Sequence, residues 1–174
     1  MSGLYVQTVP VFIKFLKNLS KILDKGAAYA TDKGIPHDEM SSLRLIEDMK
    51  GLPYQIQCCS NTAKFCLERL GKVKDLPVWP DDETTFDQLK ARIAETVSLL
   101  EKADPACMDG MEGREVLFET KSAGTFRFET GQRYVSEFAI TNFHFHMGIA
   151  YCILRQKGVD VGAFDYMNDV FVKV

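Results

Sequence analysis

Two histidines in the segment Asn142-Phe143-His144-Phe145-His146 are the first place in this chain where chemistry can be sought. An HxH pair can hold a metal from a β-strand, where both side chains share a face. On a helix, residues two apart point about 200° away from each other, so His144 and His146 cannot converge on one ion. The surrounding periodicity is helical, and the two are read separately. His146 falls one turn after Asn142, on a stripe with Phe138, Ala139, Ile149 and Ile153 that should face the interior. A polar pair on such a stripe needs hydrogen-bond partners or costs roughly a few kcal/mol.

An upstream helix offers partners. Asp48, Leu52, Gln55 and Cys59 follow helical spacing, and Gln57 lies close by. The spacing leaves open whether Gln55 or Gln57 turns toward His146. An imidazole titrates near neutrality and serves as a general acid or base. The amides of Asn142 and a glutamine would polarise a carbonyl or enolate oxygen. The same pattern also fits a satisfied polar network in a core, with no chemistry.

His144 shares another face with Glu137, Ile140, Tyr151 and Arg155, and fits an interface or an exposed role. His37 stands beside Asp38 and Glu39 in a loop and should be solvated. Tyr54 and Tyr151 can donate protons near a carbonyl oxygen, although a tyrosine on a half-buried helix commonly packs with its hydroxyl satisfied. The candidate catalytic set is therefore His146, Asn142, Asp48 and Tyr151. Gln55, Gln57, Tyr54 and His144 are the candidate substrate-binding residues. The chain has no phosphate-cradling glycine loop, no GxGxxG, no HExxH and no GxSxG.

The elements that must position these residues are mostly helical. A first helix is expected from Thr8 to Ala30, with Thr8 as cap and Pro10 in the first turn. A second should run from Met40 to Leu70, kinked or split at Pro53. A third spans Thr85 to Lys102, with Thr84 or Thr85 as cap. Residues 114–130 alternate with period two in two runs, with KSAG between them as the turn. Val116 and Phe118 share a face of the first run and Phe126 and Phe128 a face of the second, which predicts a β-hairpin whose aromatic face packs on the helices or on a partner chain. A fourth helix should run from Gln132 to Lys157 and end at Gly158. The tail after Gly158 is apolar enough to dock but has no assigned structure.

Composition sets the frame. The 174 residues suit one domain, and 46% apolar with 26% charged residues argue against disorder. A net charge of −3 without basic blocks excludes a nucleic-acid surface. No apolar run is long enough to span a bilayer, and the N-terminus lacks the features of a signal peptide or a myristoylation site. Five cysteines (Cys58, Cys59, Cys66, Cys107 and Cys152) without a CxxC pair fit reduced thiols in the cytoplasm.

Five stretches together resemble an uncharacterised branch of the DinB/YfiT-like superfamily across nearly the whole chain. They are TVPVFIKFLKNLSKIL, RLIEDMKGLPYQIQ leading into NTAK, ETTFDQLKARIAET, the hairpin, and NFHFHMGIAYCILRQKGVDVGAFDYM. The resemblance implies an all-α, DinB-like four-helix bundle with a hairpin inserted between helices 3 and 4. It also implies a homodimer, and in members with known activity a metal on three histidines, one from the second helix and two from an HxxxH on the last. Here the corresponding positions are Asn142 and His146, with Gln55 or Gln57 opposite. One imidazole of three remains, and amides are poor ligands for zinc or nickel, so no metal and no other cofactor is expected. The function this points to is a metal-independent small-molecule enzyme of isomerase, cyclase or dehydratase type. The alternatives are a metal-dependent transferase or hydrolase using His146 with Asp48, a cysteine or His144, and a non-enzymatic binding or structural dimer.

Overall fold

In a computed structural model, which describes residues 3–120 and 123–171, the chain is mostly helical with one small antiparallel hairpin. Four long helices pack on one another: α1 (Gly3–Lys33), α3 (Leu52–Gly71), α4 (Phe86–Glu101) and α6 (Ile140–Lys157). α3 lies against both α4 and α6, and α1 against α4 and α3. Their shared core holds Phe12, Leu16, Leu19, Ile56, Leu67, Leu89, Phe143 and Met147, each 0–1% exposed.

α1 begins five residues before the expected cap. Leu4 extends the apolar stripe by one turn and is fully buried. Thr8 is therefore internal, and its Oγ1 donates to the Leu4 carbonyl at 2.6 Å, which satisfies the hydroxyl without capping anything. Pro10 lies inside the helix, on its exposed side, rather than in the first turn.

The second expected helix is two pieces. α2 covers only His37–Ser41, residues 42–51 are turns and bends, and α3 starts at Leu52. Pro53 stands in the first turn of α3, where its missing N–H leaves no hydrogen bond broken, so the helix starts there instead of passing through it. The turn is closed by the Leu52 N–H donating to the Leu43 carbonyl at 2.8 Å. Asp48 is thereby removed from the helical face it was expected to share with Gln55, and Ile46 is 58% exposed.

The third helix follows its sequence closely. Thr85 Oγ1 accepts from the Gln88 N–H, and the Gln88 side chain accepts from the Thr85 N–H, a reciprocal cap.

In the hairpin, β1 (Val116–Thr120) pairs with β2 (Gly124–Phe128), Val116 opposite Phe128 and Phe118 opposite Phe126. Part of the KSAG turn, Lys121 and Ser122, lies outside the described residues, as do Val172, Lys173 and Val174 of the tail. The aromatic face of the hairpin packs on the start of the last helix: the Phe118 ring is 4.8 Å from Phe138, and Phe128 is 5.3 Å from Tyr134.

That last helix is capped by Thr130, whose Oγ1 accepts from the Arg133 N–H. It runs from α5 (Gly131–Arg133) through a π-helical turn at Tyr134–Ala139 into α6. The sequence reading missed this turn. Its wider winding keeps residues four apart in phase, so Val135, Ala139, Phe143 and Met147 all reach the core. The buried stripe is accordingly rotated from the expected one, and Asn142 and His146 stand at its edge, half-buried, facing α3. Gly158 ends α6 at φ +104°. The tail docks: Val159 and Val161 are buried, and α7 (Ala163–Tyr166) is tied to α1 by Asn18, whose amide donates to the carbonyls of Tyr166 and Asn168.

Candidate functional site

α3 and α6 run antiparallel, and two side-chain pairs cross between them. At one level Asn142 Nδ2 donates to Thr62 Oγ1 at 2.8 Å. At the other, His146 Nδ1 and Gln55 Oε1 are 2.7 Å apart. Between them the Cys59 thiol reaches the Phe143 carbonyl at 3.4 Å. Gln55, not Gln57, is the glutamine that meets His146.

The protons of this site follow from the far side of Gln55. Its Nε2 donates to the Lys50 carbonyl at 2.9 Å. A carbonyl only accepts, so the amide nitrogen must point to Lys50 and the amide oxygen to His146. The imidazole nitrogen facing that oxygen must then carry the proton. His146 is thus held as the Nδ1–H tautomer, with a lone pair on Nε2. Among the described residues no side chain or carbonyl meets Nε2. Burial lowers the pKa of His146 from 6.5, which keeps the ring neutral at pH 7. Tyr54 packs edge-to-face on the ring at 5.8 Å, and its phenol is held up in pKa chiefly by its hydrogen-bonded neighbour Cys58.

The other sequence candidates lie elsewhere. Gln57 Nε2 donates to Glu83 at 3.0 Å, on the α4 side of α3. Asp48 is exposed in the turn before α3. His144 faces the tail: its Nδ1 is 3.1 Å from the Tyr166 hydroxyl and its ring stands edge-on to Phe15 at 4.6 Å. Tyr151 is on that same side and donates to the Val161 carbonyl at 3.3 Å. These two residues stitch the tail to the body. His37 is exposed, with Nε2 3.0 Å from Thr31 Oγ1.

The three-histidine metal site implied by the superfamily does not fit these residues. Its positions hold one imidazole and two amides; Asn142 Nδ2 is given to Thr62 and Gln55 Oε1 to His146 Nδ1, which leaves His146 Nε2 as a single imidazole ligand beside two poorly ligating amides. Among the described residues no group of three or more His, Cys, Asp or Glu side chains is placed to hold a metal.

Sequence reasoning overlooked a buried arginine. Arg92 on α4 is 1% exposed. It donates to Asp81 and Glu83 at 2.7 Å each, to Asn61 at 2.9 Å and to Ser60 at 2.8 Å, and stacks on Trp79 at 4.1 Å. It fastens the connector between α3 and α4 to both helices. The signal was present: Arg92 and Thr96 interrupt an apolar stripe, as Asn142 and His146 do.

The mostly helical chain with its small antiparallel hairpin is similar as a whole to a protein of known structure. A crystal structure of a DinB family member protein from Shewanella denitrificans superposes with a TM-score of 0.87 at 34% identity, over 98% of this chain and 95% of that one. The family described as a domain of unknown function, DUF1993, matches residues 4–167, and the chain belongs to it. No curated protein matches. No helix among the described residues is long and apolar enough to cross a membrane.

Proposed function

We propose that this protein is a small-molecule enzyme in which His146 Nε2 is a general base. The observation that carries the reading is the chain Lys50 carbonyl–Gln55–His146, which holds one tautomer and leaves one nitrogen basic. The packing of α1, α3, α4 and α6 supports reading the fold as a four-helix bundle with the site between facing helices. Asn142 lies one turn from His146 on the same face, and its amide has a second N–H beyond the one given to Thr62.

The step is proton abstraction beside a carbonyl. Nε2 takes the proton, the C–H electron pair forms the enolate C=C bond, and the carbonyl π pair moves onto oxygen, where the Asn142 amide donates to it. Where a C=C bond adjoins the enolate, return of the proton to the far carbon of that dienolate shifts the double bond, re-forms the carbonyl and completes an isomerisation. Where the neighbouring carbon carries a hydroxyl, the carbonyl re-forms and the enolate C=C pair becomes the new C=C bond to that carbon. The C–O pair leaves with the hydroxyl as the imidazolium Nε2 returns its proton to that oxygen, so that water departs and the step is a dehydration.

The test is deuterium exchange in D2O, followed by NMR, on hydroxyacetone, pyruvate and cyclohexanone. Protein-dependent exchange should fall at least ~100-fold in His146→Ala. Exchange unchanged in that variant, or none with any of the three, would sink the proposal.

A further inference from the structure

A cleft of about 170 Å³ opens between α3, the hairpin and the start of the last helix; Asn142 lines it and His146 does not. Its α3 wall is a stripe at helical spacing, Cys58, Thr62, Phe65 and Arg69. The opposite wall is Phe118, Phe138 and Asn142. The Arg69 guanidinium carbon lies 4.6 Å from the Phe118 ring centre, 5.0 Å from Phe65 and 5.8 Å from Tyr134. Its Nη1 donates to the Tyr134 hydroxyl at 3.0 Å. Tyr134 is buried, and burial pushes its phenol far above the usual range, so this partner stays neutral. Among the described residues no carboxylate pairs with Arg69. Arg92, by contrast, is neutralised by two.

A guanidinium fixed by aromatic rings and one neutral hydroxyl keeps its full charge and most of its five N–H donors available. The fork of an arginine matches a carboxylate in two parallel hydrogen bonds. One positive charge balances a monoanion rather than a dianion. Phe65, Phe118 and Phe138 give the lining an aromatic part beside the polar Asn61, Thr62 and Asn142 and the Cys58 thiol, and the volume of about 170 Å³ is close to the ~150 Å³ known to accept a benzene ring. We infer that this cleft is a binding site for a small planar monocarboxylate. Its carboxylate lies on Arg69 and its ring or unsaturated part among Phe65, Phe118 and Phe138. The inference goes beyond the acid–base reading and does not use His146.

The test uses 4-fluorobenzoate as the probe, followed by fluorine NMR, with the Arg69 side-chain N–H resonance read in the same titration. Saturable binding is expected, with a shift of that resonance, at least tenfold weaker binding in Arg69→Gln, and unchanged affinity in His146→Gln. Tyr134→Phe, which removes only the neutral partner, should bind at least as well as the wild type. The wild-type titration alone decides the matter should Arg69→Gln fail to fold. Absence of saturation by ~10 mM overturns the inference, as does a silent Arg69 resonance. Equal binding of neutral 4-fluorobenzamide also overturns it, and displacement by inorganic phosphate as effective as by benzoate overturns the carboxylate assignment. Binding without deuterium exchange would retain the cleft and reject the chemistry at His146.

Discussion

Gln55 Oε1 stands 2.7 Å from His146 Nδ1, and the nitrogen of the same amide stands 2.9 Å from the Lys50 carbonyl. One buried amide thereby sets the orientation, the tautomer and the partner of the imidazole. Replacing Gln55 by Glu puts a carboxylate opposite Nδ1, which favours the charged ring. The His146 pKa should rise by about one unit or more. Gln55→Leu leaves the buried Nδ1–H without a partner and should destabilise the fold by ~1–3 kcal/mol. Nitrogen-15 NMR across a pH series reads both the tautomer and the pKa, and a ring protonated on Nε2 at pH 8 would contradict the geometry.

Stability should fall as pH drops below neutrality. Burial lowers the pKa of both His144 and His146 from 6.5. Between the folded and unfolded values the unfolded chain binds more protons, so acid favours unfolding there. Their contribution is full above about 6.5, declines as pH falls through the lowered values, and is constant below them. The Tyr54 ring lies 5.8 Å from that of His146, and its phenol pKa is raised, so it does not change charge in this window. Urea midpoints from pH 7.5 to 5 should trace the decline, and His146→Gln should flatten part of it. An equally steep profile in that variant would assign the loss to other groups.

Arg92 is the charge whose loss the fold should feel most. Arg92→Met removes the partner of Asp81 and Glu83 and the donor to Ser60 and Asn61. About 3–5 kcal/mol of stability should go with it. Trp79, the only tryptophan, stacks on Arg92 and donates to Glu95 at 2.9 Å, so its fluorescence reports the same event. A red-shifted emission in the folded variant is expected, and an unshifted spectrum with an unchanged midpoint would show the cluster to be dispensable.

His144→Ala tests the division between the two histidines. The ring fills space between Phe15, Phe143 and Tyr166, so its removal leaves a cavity and takes one partner from the Tyr166 hydroxyl, which keeps its bond to the His144 carbonyl at 3.3 Å. Stability should fall by roughly 2–4 kcal/mol. Hydrogen exchange should quicken first in residues 159–170. Exchange quickened instead at α3 around Gln55 would place His144 on the wrong side of α6.

Much of the architecture could be read from local pattern. The periodicity of α1, α3, α4 and α6, the Thr85 cap with Gln88, the hairpin alternation and the stop at Gly158 are written in residues a few positions apart. Short-range hydrogen bonds and one-sided burial decide such features. The polar pair Asn142 and His146 was legible for the same reason, because two hydrogen-bonding groups break an apolar stripe and must be answered across a helix interface. Which residue answers depends on the rotational register of α3. That register follows from where the helix begins after Pro53 and from how the turn before it folds back on Leu43 and Lys50. Only the assembled chain sets those contacts, and they brought Gln55 to His146 while leaving Asp48 in solvent and turning Gln57 toward Glu83. The π-helical turn and the Arg92 cluster belong to the tertiary structure too. The first answers to core packing along Val135, Ala139 and Phe143. The second joins residues from α3, the connector and α4, which are far apart in sequence and adjacent only once the helices have packed.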